Sequence, residues 1–274
     1  MEQKSKLIFY NGKYELVDHP LFKAADFPVI SYYYSFFAVG TNIYFFDQQY
    51  QQIKKELLFL GYEIPEDFSG KYLQELMNRL ITRNRFFKGL QIDLMIFKSP
   101  FQQDFKFILD TIPLPWEIYQ LNKKGYKLDV YSEIRKSINV FSSISCSNLF
   151  LYEKAEIYRK KVGAEDVIIL NEHDNISETL YGNIFFWYKG KLLTPSLSEG
   201  AKDNILRKQV IEIARKEKIE VEETQINKDI LLIAEEVFTV NNKIGIRWIM
   251  SYHNWRYYHK ISEYLNQLLI KKYS

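Results

Sequence analysis

The sequence predicts an α+β protein of two domains. Three observations carry that expectation. In the first 111 residues, strand-like runs and helical stripes occur in separate blocks rather than in alternation. Thr111-Ile-Pro-Leu-Pro115 then holds two prolines, which restrict it to extended backbone and mark a linker. A second and longer series of strands and helices follows. The expected boundaries are 1–111 for a small N-terminal domain, 112–115 for the linker and 116–274 for a larger C-terminal domain. A chain of 274 residues supplies ample core for either one large domain or two medium ones.

Residues 6–10 and 13–17 flank Asn11-Gly12 and read as a hairpin, because this dipeptide supplies the positive φ of a tight turn. Residues 30–38 and 42–46 are aromatic-rich, strand-like runs on either side of Gly40. Tyr50, Ile53, Leu57, Leu58 and Leu60 give a helical stripe over 48–60, with Gly61 placed to end it. A second helix is expected over 72–82. Ile92, Leu94 and Ile96 alternate as a strand over 91–97. In the second half, strands are expected over 127–131, 167–170 and 237–240, and a hairpin over 184–188 and 191–193 about Lys189-Gly190. Helices are expected over 148–162, 204–216, 229–234 and 261–271. Leu149, Tyr152, Ala155 and Tyr158 form the buried stripe of the first of these.

Composition narrows the function classes. Apolar residues make up 47% and charged residues 26%, the profile of a soluble globular protein. A net charge of +3 is too small for this size to imply nucleic acid or a membrane surface as partner. Lys54-Lys55 and Arg159-Lys160-Lys161 read as charged helix faces. The four histidines lack metal-ligand spacing, so no metal is expected. The lone cysteine, Cys146, cannot form an internal disulfide, and beside an apolar helix it reads as structural more readily than as a nucleophile. There is no apolar signal segment and no run of about 18 apolar residues, so a cytoplasmic location is the expectation.

Chemistry concentrates in the second half. Ser177-Glu178-Thr179 precedes Asn183-Ile184-Phe185. Thr194-Pro195 precedes Asn204-Ile205-Leu206-Arg207. Ala234-Glu-Glu-Val-Phe238 precedes Asn241-Asn242 and Gly245-Ile246. In this order and spacing the three segments resemble the class IV pyridoxal-phosphate (PLP) enzymes, the branched-chain and D-amino acid aminotransferases and aminodeoxychorismate lyase. The likeness is strong over about 148–248 and weak before 115. It implies the two-domain fold of that family, PLP as cofactor, a homodimer, and a small-molecule ligand in the cleft between domains. It gives Glu178 the role of pairing with the pyridine nitrogen, which favours the protonated ring. It gives the backbone N–H groups of Ile205 and Leu206, with Asn204, Asn241 and Asn242, the cofactor phosphate. Read from the residues alone, Glu178 is a charged residue at a strand start, and Asn204 or Asp203 is a helix N-cap.

The chain departs from the family at three places. Ser145-Cys146-Ser147-Asn148 aligns with the family's K-x-x-N, so Ser145 stands at the position of the aldimine-forming lysine. Gln52 stands at the position of a phosphate-binding arginine and offers no charged fork. The family's early Gly-Asp-Gly element has no match around 32–37. Lys136 and Lys154 are nearby lysines, the latter roughly 13 Å along a helix counted from Ser145. Three readings follow. The chain is a degenerate member that binds or regulates, without lysine-dependent PLP chemistry. Alternatively it is an active aminodeoxychorismate lyase or aminotransferase with a relocated lysine. In the third reading it uses the inherited cleft for PLP-free activity or ligand binding.

Overall fold

The structure, a computed structural model, describes residues 6–10, 12–16, 30–65, 68–98, 105–116, 119–144 and 149–273. The chain forms two compact units, Met1–Ile118 and Tyr119–Ser274. Ser145 and Cys146 lie outside the described residues, as does Asn148.

In the first unit, β1 (Leu7–Tyr10) and β2 (Lys13–Leu16) form the expected hairpin, with Gly12 at a φ of 83°. β3 (Ile30–Val39) and β4 (Asn42–Ile43) follow. The strand expected over 42–46 stops early because Phe45 adopts left-handed backbone (φ 57°) and turns the chain into α1 (Phe46–Phe59). Gly61, at φ 76°, ends that helix, and the Tyr62 N–H returns to the Leu57 carbonyl. α2 (Gly70–Asn84) is capped by the Ser69 hydroxyl, which accepts from the Tyr72 N–H. β5 (Gly89–Lys98) and β6 (Lys106–Pro113) complete the sheet. Its order among the described residues is β2-β1-β6-β5-β3-β4.

Leu73, Leu76, Met77, Leu80 and Ile81 of α2 are buried together with Ile53 and Leu57 of α1. Each such side chain contributes on the order of 1.5–3 kcal/mol by leaving water. Buried Asn84 ties α2 to two strands. It accepts from the Leu7 N–H and donates to the Leu7 carbonyl and to Thr111 Oγ1. The segment read as a linker from residue 112 begins inside this sheet. Ile112 and Pro113 are the last residues of β6, paired with Gln91 and Leu90. Proline is tolerated there because the strand ends with it.

The second unit begins with β7 (Tyr126–Lys136), α3 (Leu149–Val162) and β8 (Asp166–Asn171). β7 and β8 pair in parallel, so the chain crosses over through α3. β9 (Ile176–Thr179), β10 (Asn183–Tyr188) and β11 (Lys191–Pro195) follow. α4 (Ile205–Lys216) leads to β12 (Glu220–Thr224), parallel to β11. β13 (Glu236–Asn241), β14 (Gly245–Tyr252), β15 (Trp255–Arg256) and α5 (Lys260–Tyr273) close the chain. The main sheet path is β12-β11-β10-β13-β14-β7-β8-β9.

β8 is buried on both faces. Val167 and Ile169 pack with Tyr131, Leu151 and Ala155, on the side of α3. Ile168 and Leu170 pack with Ile176, Ile184, Phe186 and Val237. A continuous apolar run is what such a position requires. The helix expected over 229–234 is a short 3-10 turn, Lys228–Leu232. Among the described residues no helix is long and apolar enough to cross a membrane.

Candidate functional site

Glu178 lies on β9 with its side chain fully buried. Three elements bring partners to it. The C-terminal residue of β7 is Lys136, and its Nζ donates to Glu178 Oε1 at 3.0 Å and to the Gly200 carbonyl at 2.6 Å. Tyr152, from the first turn of α3, donates its hydroxyl to the same Oε1 at 2.6 Å. Lys202, after the 3-10 turn Leu197–Glu199, holds its Nζ 4.0 Å from that oxygen and 4.1 Å from the centre of the Tyr152 ring.

Lys136 faces inward because the β7–β8 register shifts between Tyr131 and Lys136. The irregularity changes the phase at which side chains alternate, so the end of β7 aims a lysine into the interior. Gly200 lets the turn come close: its φ is 83°, and a Cβ there would sit 3.1 Å from Ser177 Oγ.

Burial raises the pKa of the Glu178 carboxyl, but the charges of Lys136 and Lys202 and the hydrogen bonds from Tyr152 and Lys136 outweigh it. The carboxyl ends below its ordinary value and is ionised. Two ammonium groups face one carboxylate, so the cluster carries net positive charge. Glu178 Oε2 and Ser177 Oγ are buried without a hydrogen-bond partner.

Four residues past Gly200, Asn204 caps α4. Its Oδ1 accepts from the N–H groups of Leu206 (2.8 Å) and Arg207 (3.4 Å). Asn242 Oδ1 accepts from the same Leu206 N–H at 3.1 Å. Asn204, Ile205, Leu206 and Asn242 are thus together at one helix end. Asn241 is turned away: its Nδ2 donates to the Tyr181 carbonyl and its Oδ1 accepts from the Lys243 N–H. Gln52 belongs to α1 of the first unit, where it donates to Glu56 Oε1 at 2.8 Å. Lys154 is exposed on α3.

The family described as amino-transferase class IV matches residues 34–252. This chain belongs to it. Among curated relatives, a probable branched-chain-amino-acid aminotransferase of Thermotoga maritima is 36% identical over 88 residues, covering 32% of each chain. A mitochondrial branched-chain amino acid aminotransferase of Humulus lupulus is 35% identical over 101 residues, covering 35% of this chain and 26% of its own. These matches therefore span under a third of the relatives' lengths. The branched-chain amino acid aminotransferase of Escherichia coli has the same fold, with a TM-score of 0.84 at 18% identity over 97% of this chain and 93% of that one. The PLP-form of the Thermobaculum terrenum enzyme gives 0.84 at 17%, with the same coverage.

Membership in the class IV family raises the question of PLP, and the described residues fit it at the ring nitrogen but less well at the phosphate and the aldehyde. A pyridinium N–H needs one carboxylate oxygen, and Glu178 Oε2, buried without a partner while Lys136 and Tyr152 hold Oε1, meets that need. A phosphate needs open N–H groups at α4, and that of Leu206 already meets two amide oxygens. The aldehyde carbon and ring nitrogen lie at opposite ends of the pyridine ring. Lys136 and Lys202 both approach the carboxylate, which is the nitrogen's end. The motif identified Glu178 and the helix end. Lys136 entered only as a lysine near in sequence to Ser145, Tyr152 only as part of a buried stripe, and Lys202 and Gly200 gave no sign.

Proposed function

We propose that this chain is a class IV aminotransferase relative that has given up lysine-dependent PLP chemistry and acts by binding or regulation. One observation carries the reading: the buried Glu178 carboxylate is neutralised by the chain's own Lys136. A carboxylate that awaits an external cation in a water-poor site gains from an internal one. The sequence supports the same direction, with Ser145 at the lysine position and Gln52 at the arginine position. The asparagine oxygens on the α4 N–H groups do for that helix what a bound anion would do.

Lys202 favours a second reading. It is one-third exposed, so it is the lysine of this cluster that an aldehyde could reach from solvent, with the pyridine nitrogen then turned away from Glu178. The activity would then be a PLP-dependent aminotransferase, as in the relatives' names, or an aminodeoxychorismate lyase. The test is an absorption spectrum of the purified protein with added PLP, before and after borohydride, followed by peptide mass mapping. The first reading expects no imine band and no adduct. A reduced adduct on Lys202 or Lys136 would replace it with the second. By the same resemblance we infer a homodimer, and light scattering that gave a monomer mass would overturn that.

A further inference from the structure

A groove of about 490 Å3 runs between α4 and the edge strand β12, with Leu197 at its rim. Its volume is in the range of small-molecule sites. Four cationic side chains line it, against three carboxylates. Lys208 pairs with Asp203 at 2.8 Å, and Glu212 takes both Lys216 at 2.7 Å and Lys272 at 3.4 Å. Arg207 and Arg215 share a single carboxylate, each 3.0 Å from an oxygen of Glu223. The two guanidiniums therefore divide one carboxylate between them.

Arg207 is by far the more buried of the two. Its side chain is only 2% exposed, and Nη2 is spent on the Pro195 carbonyl and Glu223. Nε is buried with no acceptor. Burial works against the charge of Arg207 more strongly than Glu223 supports it, and its pKa falls below the ordinary value. A buried donor without a partner is costly, and a guanidinium is shaped for a planar carboxylate. Beside the guanidiniums lie Ile211, largely buried, and Leu197, 40% exposed. Glu223 is one-third exposed.

We propose that this groove binds a small carboxylic acid with an apolar body, its carboxylate on Arg207 and Arg215 and its chain on Leu197 and Ile211. The ligand carboxylate takes up contacts that Glu223 now divides between the two arginines. This site uses none of the Glu178 cluster, so a PLP result in either direction leaves it standing.

Isothermal titration at constant ionic strength tests it, with the full chain, hexanoate, butanoate, hexanol and inorganic phosphate. Saturable binding is expected for hexanoate, weaker binding for butanoate, and none for hexanol. Two substitutions move affinity in opposite directions. Arg215→Ala, at a half-exposed position that should fold, lowers it roughly tenfold or more, the worth of one charge-assisted hydrogen bond. Glu223→Gln removes the internal competitor and raises it. No saturable binding by either the natural chain or Glu223→Gln would overturn the proposal. So would affinity indifferent to both substitutions, which would locate the acid elsewhere, or phosphate binding as tightly as hexanoate.

Discussion

The Lys136–Glu178 pair decides what each partner is worth. Both are buried, so removing one leaves an uncompensated charge. Lys136→Met should lower stability by about 3–5 kcal/mol at neutral pH. Lys136→Met with Glu178→Gln should recover most of that loss, because no buried charge is left behind and Lys202 is one-third exposed. Urea midpoints for the natural chain, both single variants and the double variant give the coupling directly. The pH dependence has a definite sign. The Glu178 carboxyl is held below its ordinary value when folded, so its contribution is present above that value and is lost as pH falls through the folded one. The gap between the natural chain and Lys136→Met should therefore narrow toward acid. Asp166 has the opposite sign. Burial lifts its carboxyl to about 7, against hydrogen bonds from Thr179 and the Val167 N–H. Between its ordinary value and 7 the folded chain holds a proton that the unfolded chain has released. Stability from this group thus falls as pH rises through that window, by roughly 1.4 kcal/mol for each pH unit. Asp166→Asn should flatten the decline, and denaturation midpoints from pH 5 to 8 would show whether it does.

α4 begins where it does because Asn204 accepts from two N–H groups of its first turn. Asn204→Ala should cost about 1 kcal/mol and Asn204→Gly only a few tenths, since glycine exposes those groups to water. Thermal unfolding of the two variants would distinguish a cap from an incidental contact. Gly182, between β9 and β10, has no room for a side chain: a Cβ there would sit 2.1 Å from the Val240 carbonyl oxygen. Gly182→Ala must displace backbone rather than a flexible side chain, so a loss of about 1–3 kcal/mol is expected. Elements of this kind differ in how far the sequence reveals them. α4 and β8 were legible because an amphipathic stripe and a continuous apolar run each leave a clear period. β12, Glu-Val-Glu-Glu-Thr, was not, because an edge strand is held by backbone pairing and carries charge on both sides. β9 is too short to show a period. β6 was hidden by its proline, read as a linker when it closes the strand.

Across the whole molecule, the Glu178 site draws on β7, α3, β9 and the turn before α4, which are far apart in sequence. Motif spacing revealed the parts shared with the family, Glu178 and the α4 terminus. It could not reveal that Lys136 meets Glu178, because its inward aim depends on a register shift visible only once β7 and β8 pair. On the proposed reading, that distribution bears on how PLP chemistry could be brought back. If Ser145 were the whole difference, Ser145→Lys alone would bring back an imine. Lys136 would still sit on Glu178 and two asparagines on the Leu206 N–H, so the substitution by itself should leave PLP unbound. These contacts share a site, so their effects should not add. Ser145→Lys combined with Lys136→Met and Asn204→Gly frees the carboxylate and removes one of the two asparagine caps together. That combination should show a borohydride-sensitive band and a reduced adduct on the introduced lysine. The expected order is none for the natural chain, none for Ser145→Lys and a clear band for the triple variant. A full band in Ser145→Lys alone would show that the internal pairs yield readily to the cofactor, and that the serine by itself separates this chain from PLP chemistry.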